Sequence, residues 1–136
     1  MQFIYMPILH AQLALNRKDS AKAIEALQAT TPYELGSAGG LYPVYVRGQA
    51  YLTGHQGKEA ETEFQKIFDH RGVVVNAAIG SLAHLGLARA YGLQGDRVKA
   101  RAAYQDFLTL WKDADSDITI LKEAKAEYSK LQQLSP

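Results

Sequence analysis

The amino-acid sequence predicts an all-α fold of three helical hairpins closed by a C-terminal capping helix. Three observations carry this expectation: two stretches forty residues apart that align without gaps, helical spacing of the apolar residues inside each, and a glycine-bearing turn in the middle of each. Self-similarity at a period of a few tens of residues is the mark of a repeat architecture, in which each unit buries its apolar face only by stacking on the next.

The alignment is direct. When "YVRGQAYLTGHQGKEAETEFQKIFDH" (Tyr45 to His70) is laid over "LGLARAYGLQGDRVKARAAYQDFLTL" (Leu85 to Leu110), Gly48 falls on Ala88, Tyr51 on Tyr91, Ala60 on Ala100, Phe64 on Tyr104 and Ile67 on Phe107, an offset of 40 residues. A weaker copy precedes them in "LHAQLALNRKDSAKAIEALQAT", where Ala11, Ala14, Ala23 and Leu27 take the places of Gly48, Tyr51, Ala60 and Phe64, an offset of 37 residues.

Taken in order, the first hairpin is expected over about 3–32, opened by the apolar "FIYMPILHAQLAL". The second spans about 41–70: Val44, Gly48, Tyr51 and Leu52 form one helical stripe and Ala60, Phe64, Ile67 and Phe68 another. The third spans about 77–111. The turns are "TGHQGK" and "LQGDRV", where Gly54, Gly57 and Gly95 can take backbone angles other residues avoid and Asp96 suits the cap of the following helix. Small residues at Gly48 or Ala88 and at Ala60 or Ala100 let two helices approach closely, with aromatics filling the wider space beside them. "TTPYELGSAGG" (Thr30 to Gly40) and "DHRGVVVN" (Asp69 to Asn76) read as loops. After "WKDADSD", Leu121, Ala124, Tyr128 and Leu131 recur at helical spacing behind a cap at Ser116 or Asp117, predicting a seventh helix over about 117–134. Its other face carries Lys122, Glu123, Lys125, Glu127 and Lys130, as expected of a helix that closes a stack against water.

Bulk properties narrow the function classes. At 136 residues, 47% hydrophobic and 21% charged, the chain has the composition of one ordinary folded domain. Its +1 balance of charge gives no drive toward nucleic acid or an acidic membrane surface. No run approaches the ~18 uninterrupted apolar residues of a membrane span, since even Val73 to Leu87 contains Asn76, Ser81 and His84. The start is not read as a signal peptide, and the segment is expected to be soluble and not to insert into a membrane. The absence of cysteine excludes disulfides and thiolate metal sites without assigning a compartment.

Small residues at Gly48 and Ala60, aromatics at Tyr51 and Phe64, and their second copy at Ala88, Ala100, Tyr91 and Tyr104 make the chain resemble the tetratricopeptide repeat (TPR) over about Tyr5 to Leu110. The resemblance implies an α-α superhelix, a TPR-like solenoid that binds proteins. The chain departs from the family's usual 34-residue period by its longer connection, and a repeat-ending proline is seen only at Pro32. More narrowly, "YPVYVRGQAYL", "EAETEFQKIFDHRGVVVN", "LAHLGLARAYGLQGD", "KARAAYQDFLTLWKDAD" and "ILKEAKAEYSKL" resemble the C-terminal repeat region of bacterial eukaryotic-like serine/threonine protein kinases. That implies a signalling parent in which the module docks or senses partners, cytoplasmic by default and extracytoplasmic if a membrane segment precedes it. The glycine-rich nucleotide loop, His-Arg-Asp loop and Asp-Phe-Gly triplet of a kinase are not in this sequence.

Motifs for catalysis, cofactors and metals are weak. "GSAGG" (Gly36 to Gly40) lacks a preceding strand and the dinucleotide spacing, and "GHQGK" has two residues between its glycines where a phosphate loop has four. "DADSD" (Asp113 to Asp117) has the alternating carboxylates of a calcium loop, yet Ile118 replaces the bending glycine and Ala124 the final glutamate. His10, His55, His70 and His84 form no ligand pair, and Glu59, Glu61 and Glu63 read as a solvated face. No catalytic, cofactor-binding or metal residue is assigned.

A binding side follows from helix geometry. If Gly48 and Tyr51 face the neighbouring helix, Tyr42, Tyr45, Val46, Gln49 and Thr53 lie opposite, and Leu82, Leu85, Gly86, Arg89 and Leu93 continue that side in the next copy. Tyr5, Ile8, Gln12 and Asn16 extend it in the first. The expected partner-binding groove is therefore Tyr42, Tyr45, Gln49, Thr53, Leu82, Leu85, Arg89 and Leu93, with Tyr45 and Leu85 as apolar contacts and Gln49 and Arg89 as hydrogen-bonding ones. The alternative is that these residues only pack against adjacent helices or the cap. Arg89 is the sole charge on this side, which disfavours an acidic peptide. The expected function is a protein or peptide interaction scaffold; the alternatives are a segment of a longer array used for self-assembly or packing on further repeats, and a small enzyme with an unrecognised site.

Overall fold

A computed structural model describes residues 2–28, 42–69, 77–113 and 118–133, and among them contains seven α-helices and no strand. They are α1 (Gln2–Asn16), α2 (Ser20–Leu27), α3 (Tyr42–Thr53), α4 (Gly57–Asp69), α5 (Ala77–Leu93), α6 (Arg97–Leu110) and α7 (Thr119–Gln133). The predicted loops at Thr30–Gly40 and, apart from Asp69 and Asp113, at Asp69–Asn76 and Asp113–Asp117 lie outside the described residues, as do Pro32 and the caps at Ser116 and Asp117.

Helices pair in chain order, α1 with α2, α3 with α4 and α5 with α6, and each second helix also packs on the first helix that follows it. First helices touch one another as well, α1 against α3 and α3 against α5. The result is a helical repeat-like stack, with α7 lying on α6 at its far end.

The three hairpin turns share one local solution. Lys18 (φ 59°), His55 (φ 57°) and Gly95 (φ +79°) occupy equivalent repeat positions and each takes the left-handed conformation that reverses the chain. Only one of the three is glycine; in the second turn the strain falls on His55, while the flanking glycines serve close approach. A Cβ on Gly57 would meet the Ala90 carbonyl oxygen and the Leu93 Cβ, both at 2.9 Å, so this residue lets α4 start directly against α5. Asp96 caps α6 by accepting from the Lys99 amide at 3.1 Å, and Asp19, equivalent by position, caps α2 by accepting from the Lys22 amide at 3.1 Å.

The core follows the repeat. Ala23, Ala60 and Ala100 are fully buried, as are Ala11, Gly48 and Ala88 on the facing first helices. One position of each second helix acts as a wedge between its own first helix and the next: Leu27, Phe64 and Tyr104. The Phe64 ring tip is held between Gly48 and Gly86, where an added Cβ would stand 2.6 and 2.5 Å from the ring. Here glycine faces the aromatic directly, whereas the sequence pattern suggested that aromatics fill space beside the small residues. Leu121 and Ala124 bury α7 against the same core, with Tyr128 and Leu131 packed beside them.

One acidic run departs from the expected wet face. Glu63 is buried and stands 3.5 Å from the buried Arg47 guanidinium, with Lys66 3.0 Å away on its outer side. Arg47 also donates from Nη2 to the Leu27 carbonyl at 3.0 Å, tying α3 to the last turn of α2. Glu61 accepts from Lys58 and Gln94, and Glu59 alone of the three stays exposed, because α4 is flanked by α3 on one side and α5 on the other.

Candidate binding face

The face predicted from helix geometry divides into an open half on α3 and a closed half on α5. On α3, Tyr42 is exposed and its ring stacks on Tyr45, with centroids 6.3 Å apart. Its hydroxyl accepts from the Gln12 side-chain amide of α1 at 2.7 Å. Tyr45 is half-buried; its ring meets the Phe64 ring edge-on at 5.9 Å, so the wedge that separates α3 from α5 also sets the tyrosine's orientation. Burial raises the Tyr45 hydroxyl pKa above its ordinary value, opposed by a hydrogen bond from Gln49 and the positive charge of Arg89. Thr53 is exposed, but its hydroxyl is spent on the Gln49 carbonyl at 3.1 Å.

On α5 the expectation changes. Leu85 is 1% exposed and belongs to the core, so it offers no apolar contact to a ligand, and Val46 and Gly86 are buried in the same way. The reason is that α3 and α5 each have a neighbouring helix on both flanks, which covers part of the side opposite Gly48. Leu82 is half-buried against the core. Leu93 is exposed but sits by Gly57, at the turn that enters α4. In the first copy, Ile8 and Gln12 are half-buried and Asn16 is exposed, while the Tyr5 side chain lies outside the described residues.

Arg89 is taken by the last helix. Its Nε and Nη2 donate to the two carboxylate oxygens of Glu127, each at 2.9 Å, and Glu123 stands 3.5 Å from Nη2. The Tyr104 hydroxyl donates to the same Glu127 at 2.8 Å. Desolvation acts to lower the Arg89 pKa, but the Glu127 hydrogen bonds and charge outweigh it and the net shift is upward. Tyr104 is pushed above its ordinary range by burial and then by its bond to the negative Glu127. Glu127, expected on the solvated face of α7, therefore points inward. It stands three residues after Ala124 and beside Tyr128, within the buried stripe, and that spacing together with a tyrosine in place of Phe64 was the available signal.

What remains accessible is an uncharged ladder of Gln12, Tyr42, Tyr45 and Gln49 across α1 and α3. Among the described residues, clefts also lie elsewhere. One, of about 560 Å³, opens on the outer flank of α1 and α2 beside His10, Leu13 and Lys22. Another, of about 400 Å³, lies between α4 and α6 over α5, where the His84 ring packs at 4.5 Å on Phe68 and its Nδ1 is 4.0 Å from Asp106.

Comparison with protein-family models, with curated proteins and with solved structures gave no match. No helix among the described residues is long and apolar enough to cross a membrane.

Proposed function

We propose that this chain is a protein–protein interaction scaffold of the tetratricopeptide type, with no catalysis of its own, and that it serves as a docking or sensing module of a larger signalling protein. The observation that carries the reading is the aromatic–amide ladder on α3: Tyr42 and Tyr45 stacked on one another, held from behind by Phe64 and from the side by Gln12, with their outer edges and Gln49 left toward solvent. Rigid aromatic side chains with a polar edge bind peptide surfaces with little loss of conformational freedom. With Arg89 neutralised by Glu127 and Glu123, the ladder suits an uncharged or apolar segment of a partner, not an acidic tail.

In this reading any phosphoryl transfer resides in a kinase region outside this chain. The reading is tested by panning a displayed peptide library on the intact chain and on a Tyr42→Ala/Gln49→Ala variant. Selected peptides are expected to lose at least about tenfold in affinity on the variant, roughly 1.4 kcal/mol, while its helical circular dichroism is unchanged. Equal affinity for both proteins would remove the α3 ladder as the binding face.

A further inference from the structure

The three hairpins make an internal control for what covers a first helix. Positions Pro43, Val46 and Ala50 of α3 are buried beneath the preceding hairpin, as are Ala83, Gly86 and Ala90 of α5. The equivalent positions of α1 are Met6, Leu9 and Leu13, and they are 45%, 39% and 55% exposed. A stripe that is covered twice within the chain is thus apolar and open on α1. Large exposed side chains aligned on one helix face mark an interaction surface.

Side-chain size says what does not cover it. On α5 these positions are all small, which allows α4 to come close: a Cβ on Gly86 would strike Phe64, and on α3 the equivalent of Ala90, Ala50, is small and fully buried as well. Leucine at the position of Ala50 and Ala90 would collide with a hairpin docked in that register. The α1 stripe is instead built of long side chains, the kind that pack ridge into groove at ordinary helix-packing distance. Beside it, the cleft carries two cations, Arg17 and Lys22, and two anions, Asp19 and Glu25, so the surface is electrically its own complement. At the opposite end, α7 exposes Lys122, Lys125 and Lys130 and, among the described residues, no stripe of large apolar side chains like that of α1.

We infer that the α1/α2 end face pairs with the same face of a second copy of this chain, around a two-fold axis beside Leu13 that brings Lys22 of one copy to Glu25 of the other. A surface that pairs with the same surface of a second copy closes at two copies and does not propagate. The interface is independent of the α3 ladder. Built on three exposed apolar side chains, it belongs among the weak associations.

Sedimentation equilibrium of the full chain between about 1 and 300 µM tests this. A monomer–dimer equilibrium is expected, and Leu9→Glu/Leu13→Glu is expected to be monomeric throughout. Because the chain has no cysteine, Leu13→Cys gives a second reading that does not depend on that variant's folding. Under mild oxidation it is expected to form a disulfide-linked dimer, while Ser129→Cys on α7 stays monomeric. Mixing Lys22→Glu with Glu25→Lys is expected to restore a heterodimer that neither forms alone. A wild-type chain monomeric at the highest concentration, a dimer that survives Leu9→Glu/Leu13→Glu, or growth beyond two copies would each overturn the inference. Tyr42→Ala/Gln49→Ala should dimerise normally, which separates this result from that of the ladder.

Discussion

Phe64 and Tyr104 hold the same place in successive repeats, yet the two layers around them are built on different principles. Phe64 stands in a slot of two glycines and is wholly buried, with carbon on every side. Tyr104 is nearly as buried but carries a hydroxyl, and that hydroxyl needs a partner: Glu127, already clamped by Arg89. The inner layer is a steric fit that tolerates no added atom. The outer layer is a polar junction through which α7 is attached to α5 and α6. A repeat position thus specifies where a wedge goes but leaves its chemistry to the neighbour on its far side.

The sharpest way to break this contrast is to add one methyl group to the glycine slot. In Gly86→Ala the new Cβ lies 2.5 Å from the Phe64 ring, and the ring cannot retreat because Gly48 closes the other side. Overpacking costs about 1–3 kcal/mol or more, against about 1 kcal/mol gained from replacing a helical glycine. Because the ring has no room to give, the upper end of that cost applies and a net loss of about 2 kcal/mol is expected in denaturant unfolding. Phe64→Leu added to Gly86→Ala should recover part of it by vacating the slot, a recovery that distinguishes overpacking from damage to the helix. Since Tyr45 leans on Phe64, peptide capture by the ladder should weaken in Gly86→Ala and return in the double variant.

A smaller effect is expected at the polar junction. Glu127→Ala removes the acceptor of both Arg89 and Tyr104, leaving a half-buried guanidinium and a buried hydroxyl to find water. The Glu127 side chain is 34% exposed, so solvent screening reduces what the ion pair contributes, and a loss of about 1–2 kcal/mol is expected in the same measurement. Unlike the Gly86→Ala loss, it should shrink as salt is raised.

Much of this organisation is legible in the sequence because it is local and repeated. Helix existence, the hairpin turns, the Asp96 cap and the small positions Ala23, Ala60 and Ala100 each depend on residues a few places apart. The Asp19 cap carries the same signal as Asp96, at the equivalent place, in a turn that has no glycine. What did not show was which side of an almost uniformly apolar helix is covered. Helical periodicity sorts residues into faces without saying how many neighbours a helix has, so it puts Leu85 and Val46 on an open side although α3 and α5 are flanked twice. Charges were misplaced for a related reason. Glu63 and Glu127 lie in runs that resemble solvated faces, and their partners Arg47 and Arg89 are 16 and 38 residues away, on helices whose contact is a property of the stack.

The finest distinction between the two layers lies in alkaline solution. Below the ordinary phenol value of 10.0 Tyr104 is protonated whether the chain is folded or not, so Tyr104→Phe costs only its hydrogen bond, about 1 kcal/mol or less. Above that value the unfolded chain releases the proton, while the folded chain retains it, because burial and the adjacent Glu127 both oppose a phenolate. The unfolded state then binds fewer protons, and stability falls as pH rises. Tyr104→Phe has no such proton to lose, so its stability should fall less steeply above pH 10 and the gap from the wild type should narrow. A residual slope is expected from Tyr45 and Tyr91, whose hydroxyls are also raised and are present in both proteins. Equal slopes for the two proteins would mean that the Tyr104 hydroxyl is open to water in solution, and that α7 is attached by Leu121 and Ala124 alone.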